Sequence, residues 1–137
     1  MDNIVKKFNS LSEEFLNKMI ATFPEENKLK VYLFNFKTSK QFYPKAPMEY
    51  FMSPIIDLGY PIMTKDSKFF QKNEYVEFAE SFTSKTGLIN IWESTTESVR
   101  NSIWEYIQSL YVLGMNGLGH QKKLHDVFDK INNSNQK

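Results

Sequence analysis

The chain has no cysteine, no long apolar run and almost no excess of either charge. Without cysteine there is no disulfide framework and no Cys-based zinc site, which suits a reducing compartment. No stretch approaches the ~20 apolar residues that a membrane-spanning helix needs. The start, Met1-Asp-Asn-Ile-Val-Lys-Lys-Phe8, has no apolar run followed by a small-residue cleavage site, so the expectation is a protein that is not secreted. Basic residues number 17 and acidic residues 16. A nucleic-acid binder draws its affinity from neutralising phosphates and normally carries a basic excess, so this balance argues against that class. There is no internal repeat and no low-complexity tract.

What the chain does have is rings. Its 137 residues include 12 Phe, 7 Tyr and 2 Trp. A chain of this length fits one domain and buries roughly two-thirds of its unfolded surface, so it folds without a metal or disulfide. The rings supply ample apolar area for that core, with some to spare for a binding surface.

Apolar spacing is helical nearly throughout. Ile4, Phe8, Leu11, Phe15, Met19 and Phe23 recur at three and four residues and fall on one face. Ser10 with Glu13 has the form of a capping box, so this helix is expected to start twice, a short piece and then Leu11 to about Thr22. Pro24 ends it. A second helix is expected from Glu25 to about Lys40, with Leu29, Tyr32, Leu33 and Phe36 as its stripe. The run Val31 to Phe36 leaves a strand as the weaker alternative. Pro44 and Pro47 mark a connection. Met48 to Leu58 keeps helical spacing, but Pro54 should break or kink it.

Asp66 can cap a turn into Phe69 and Phe70. Tyr75 to Phe82 suggests another helix ending before Gly87, and Leu88 to Trp92 forms an apolar knot. Ser94 with Glu97 repeats the capping-box pattern ahead of the clearest helix, whose stripe is Val99, Ile103, Tyr106, Ile107, Leu110 and Leu113. Gly114 stands where a stop belongs. After a glycine-rich joint, a last helix is expected from about His120 to Asn132, and 133–137 is a polar tail. The sum is an all-α, irregular bundle of five or six helices, a single domain over residues 1–132.

The chemistry-bearing residues are sparse. His120 and His125 are five apart, which turns them about 140° from each other on a helix, so they cannot share a metal from one face. Gly114, Gly117 and Gly119 lack the preceding strand and the following Lys-Ser/Thr of a phosphate loop, and a helix stop and turn explain them. Glu74, Glu77 and Glu80 read as a solvated acidic face. No Ser or Thr has a companion that would make it a nucleophile. No catalytic residue, metal site or cofactor is expected, and the chain reads as a non-enzyme.

Two segments remain as candidate binding surfaces. Trp92, Trp104, Tyr106 and Tyr111 cluster in sequence, and Trp and Tyr are enriched at interface hot spots. Trp104 lies beside the main stripe, so it either widens the core face or meets a partner. Trp92, Trp104 and Tyr111 are therefore the candidate protein interface. Lys37, Lys40 and Lys45, interleaved with Phe36, Phe42 and Tyr43, form the candidate nucleic-acid segment, since rings stack bases and lysines follow phosphates.

Three stretches carry a family resemblance. They are Phe15-Leu-Asn-Lys-Met-Ile-Ala-Thr-Phe-Pro24, then Met63 to Phe70 with its Asp-Ser-Lys-Phe-Phe, and Ile91-Trp92 through Ile103-Trp104-Glu-Tyr to Tyr111. In this order they resemble a group of small helical proteins of nucleocytoplasmic large DNA viruses, over most of residues 11 to 113. The last helix, after Gly119, lies outside the resemblance. The resemblance implies no catalytic residues. It implies a virion-associated or assembly protein that works through contacts with itself or another viral protein, in the host cytoplasm or the particle.

Overall fold

A computed structural model describes residues 2–71 and 73–135. Every regular element among them is helical. The elements are α1 (Asn3–Thr22), α2 (Asn27–Phe42), α3 (Ala46–Met52), α4 (Gly59–Met63), α5 (Val76–Phe78), α6 (Leu88–Ile91), α7 (Glu97–Gly117) and α8 (Gln121–Asn135). A 3-10 turn, Ser67–Phe70, precedes α5, and a π turn, Ala79–Thr83, continues it. The class is the expected one. The five or six expected helices become four long ones and four short ones, because the middle of the chain folds as single turns.

α1 is one uninterrupted helix. The Asp2 carboxylate accepts from the Ile4 N–H at 2.9 Å, so capping happens here, eight residues before the expected box. Ser10 lies inside the helix, and Glu13 reaches across to α2 instead of back to Ser10. α2 starts at Asn27, with Glu26 as the cap accepting from Lys28 N–H at 3.3 Å, and Val31 to Phe36 is helix rather than strand. α3 opens with Pro47 in its first turn and stops at Met52, two residues before Pro54. Tyr75 takes a left-handed φ of 46°, held by its hydroxyl on Asp66 (3.0 Å) and its ring stacked on Phe69 at 4.0 Å. The expected helix therefore starts at Val76 and soon widens into the π turn.

Thr96, not Ser94, caps α7, its hydroxyl accepting from Val99 N–H at 3.2 Å. The single arginine, Arg100, bonds the Trp92 and Glu93 carbonyls at 2.8 Å each and so fastens the end of α6 to α7. α7 runs through Gly114 to Gly117. Both glycines are packing seats: a Cβ on Gly114 would strike Met52, and one on Gly117 would meet the Met48 Sδ and Cε at 2.7 Å. The missing side chains let α3 lie close on α7. The actual stop is Gly119, at φ 80°. α8 then extends over residues 133–135 as helix; 136 and 137 lie outside the described residues.

α1 packs most extensively on α7, α2 and α3 lie against α1, and α8 bridges α4 and α7. The buried apolar residues form one cluster, threaded by aromatic contacts. Phe51 meets Phe8, Phe78 and Phe82 edge-on at 5.3–5.8 Å. Phe69 links Phe78 to Trp104, and Phe70 stacks flat on Trp92 at 3.7 Å.

One site combines tight packing with an unmet polar group. Tyr111 is fully buried, and among the described residues its hydroxyl has no hydrogen-bond partner. It occupies the space left by Gly59, where a Cβ would strike that hydroxyl and come within 2.6 Å of Val127 Cγ2. Gly59→Ala should therefore lower stability by about 1–3 kcal/mol in urea unfolding. Tyr111→Phe should raise it by about 1 kcal/mol, since it deletes an unpartnered buried hydroxyl. The double variant should recover part of the Gly59→Ala loss; an additive pair would show that the two residues do not share this space.

Candidate functional site

Trp92, Trp104 and Tyr111, expected as the protein interface, all lie in the core: Trp92 is 5%, Trp104 3% and Tyr111 0% exposed. Trp104 sits edge-on to Phe69, Phe70 and Trp92 at 5.5–6.1 Å. The core-widening reading of Trp104 holds, and these rings offer no surface to a partner. The correction has a physical cause. The short middle elements carry Phe69, Phe70 and Trp92 onto the flank of α7 beside its main stripe, and they cover it.

The exposed apolar surface is instead concentrated on α2. Val31 is 59%, Phe34 69% and Phe42 85% exposed, and Tyr43, at the helix end, 53%. At ~100° per residue, Val31, Phe34, Thr38 and Phe42 fall within about 80° of one another and so form one outward stripe. α2 buries only Leu29 and Phe36 on its inner side. Its charged residues are all basic, Lys28, Lys30, Lys37 and Lys40, with no acid.

The lysines of the candidate nucleic-acid segment are partly spoken for. Lys37 and Lys40 both approach Glu13, at 3.6 and 3.3 Å, and Lys40 also lies over the Phe36 ring. Phe36 is buried, while Phe42 and Tyr43 are open. The structure thus brings an apolar stripe and a partly neutralised basic edge together on one helix.

A cavity of about 220 Å³ lies under the other edge of α2. Tyr32, Asn35, Phe36 and Ser39 of α2 form one wall; Phe8, Ser12, Phe15 and Leu16 of α1 form the floor. Tyr50, Phe51, Phe82 and Lys85 close the remaining side. The π turn matters here, because its extra residue per turn carries Phe82 inward and leads straight to Lys85. Lys85 Nζ donates to the Tyr50 hydroxyl at 3.0 Å and lies over that ring.

The chain matches no family model, no curated protein and no solved structure.

The other sequence candidates scatter. Among the described residues no group of three His, Asp or Glu side chains is placed to hold a metal ion. His125 faces Asp129 at 3.7 Å on the exposed side of α8. Glu74, Glu77 and Glu80 are exposed, as expected, but Glu74 precedes the helix, so the three do not share a helical face. No helix among the described residues is long and apolar enough to cross a membrane. Composition hinted at a surplus of rings; which rings were left outside was not readable from their spacing.

Two tyrosines are shifted strongly. Burial raises the pKa of Tyr32, helped by the neighbouring Tyr50. Burial likewise pushes Tyr111 up to about 12, with Asp57 adding to the effect. An unfolded tyrosine ionises near pH 10. Between that pH and the folded values the unfolded chain holds fewer protons than the folded one, so stability falls as pH rises. Urea midpoints should be flat with respect to these groups below about pH 10 and decline from there towards pH 12. A Tyr32→Phe, Tyr111→Phe double variant should show a shallower decline; an unchanged slope would assign alkaline unfolding to other groups.

Proposed function

We propose that this is a non-enzymatic interaction protein whose contact face is the outward stripe of α2. The observation that carries this reading is the concentration of Val31, Phe34 and Phe42 on one exposed helical face, with Tyr43 beside it. Grouped exposed apolar residues of this kind mark interaction surfaces, whereas single scattered ones do not. The resemblance to small helical proteins of large DNA viruses supports a viral partner and a role in the particle or its assembly.

The charge of α2 selects the kind of partner. Two copies meeting isologously through α2 would set its lysines against one another, which disfavours a symmetric dimer. An apolar patch flanked by acidic side chains on a different protein fits both the stripe and Lys28 and Lys30. The pairing of Lys37 and Lys40 with Glu13 weakens the field that a nucleic acid would use.

The test uses a photo-crosslinker placed at Phe42, and separately at Asp126 on α8 as a control, in cells where the protein is made. The expected result is one protein crosslinked at Phe42 and not at Asp126. Its capture should be lost in a Phe34→Ser, Phe42→Ser variant that keeps wild-type circular dichroism and a stability within about 0.5 kcal/mol. A crosslink to a second copy would replace the hetero-partner with self-association. Nuclease-sensitive material alone, or no adduct at Phe42, would sink the protein-contact reading.

A further inference from the structure

We propose that the cavity beneath α2 is a binding site for a small monocarboxylate with an apolar body, its tail among the rings and its carboxylate on Lys85. This site is separate from the outward stripe and does not depend on the function proposed for it.

Size and wall chemistry set the tail. A cavity of about 150 Å³ lined by apolar side chains holds a benzene ring and stays dry when empty. This one, at about 220 Å³, is larger and is walled chiefly by Phe8, Phe15, Phe51 and Phe82. It has room for more than one ring's worth of apolar atoms, which suits a short alkyl chain or a phenylalkyl group.

The polar groups set the head. Among the described residues Lys85 is the single charged residue in the wall, and no Asp or Glu lines the cavity. Among the described residues, no carboxylate pairs with Lys85, whose amine is held only by the Tyr50 hydroxyl at 3.0 Å. Its remaining N–H groups are free for an anion at the rim. Deeper in, Ser12 is 8% exposed, and among the described residues its hydroxyl has no protein partner although the cavity reaches it. Ser12 stands on the buried face of α1 between Phe8 and Phe15, where an apolar side chain would fill the space. A small hydroxyl there keeps the cavity open and supplies one polar contact within it. Tyr32, protonated at neutral pH as any tyrosine is, is a donor rather than a competing anion. A neutral ligand would leave the Lys85 amine unused, and a dianion would find only one cation.

The experiment titrates the whole protein with octanoate and with octanol, following backbone amide shifts by NMR. Octanoate should bind with shifts centred on residues 12, 32, 36, 50, 82 and 85, and more tightly than octanol. Lys85→Met, at an exposed position, should weaken octanoate about tenfold and leave octanol unchanged. Ser12→Leu, which fills the cavity, should abolish both; if that variant does not fold, the Lys85→Met comparison and the shift map still decide. The Phe34→Ser, Phe42→Ser variant should bind octanoate as the wild type does. Equal octanoate affinity in wild type and Lys85→Met would overturn the carboxylate assignment. Shifts centred on Val31, Phe34 and Phe42, or no shifts up to millimolar octanoate, would overturn the site.

Discussion

The edge-to-face contacts of Phe51 with Phe78 and Phe82, at 5.6 and 5.3 Å, join parts of the chain that no local interaction would bring together. α4, α5 and α6 have five, three and four residues. Helices that short do not form alone in water, since nucleation costs more than so few hydrogen bonds return. α5 and α6 exist because Phe69, Phe70, Phe78 and Trp92 are already seated against α3 and α7, and α4 because it packs on α7 and α8. Each such pair adds roughly 0.5–1.5 kcal/mol beyond the area it buries, and the contacts share rings, so the network forms cooperatively. Arg100 completes it by holding the carbonyls at the end of α6, a role that needs the planar fork of a guanidinium.

The same network accounts for what is left open. α1 and α7 form a long framework pair, locked by the stack of Phe15 on Tyr106 at 4.8 Å and by the Tyr106 hydroxyl on Glu14. α3 sits close on α7 because Gly114 and Gly117 receive its methionines. α2 is then an outer layer. It reaches the core chiefly through Leu29 and Phe36, and rigid rings beneath it do not collapse to fill the space around Ser12. One edge of α2 covers a cavity, and its outward side carries rings that none of the described residues covers.

The two proposals therefore share a helix but not a mechanism. As proposed, the outward stripe works by removing apolar area from water against a complementary protein surface. The cavity, as proposed, works by enclosing a tail in a preformed apolar space with one cation at its rim. Phe36 and Phe42, six residues apart on α2, belong to the second and the first respectively.

The all-α class, the stop at Pro24, the Asp66-capped turn and the long helix behind Glu97 were legible because periodicity, proline and caps act locally. Cap identity was not legible: Ser10–Glu13 and Ser94–Glu97 have the right spacing, yet Asp2, eight residues earlier, caps α1 and Thr96, two residues later, caps α7. The glycines of α7 read as a stop, and Gly114 and Gly117 turned out to be seats for Met52 and Met48. Burial of Trp92, Trp104 and Tyr111, exposure of Phe34 and Phe42, and the cavity at Ser12 are decisions of the tertiary structure. The sequence by itself determines which residues share a helical face. Where apolar residues encircle a helix, as on α2, only packing against the rest of the chain decides which of those faces is turned inward.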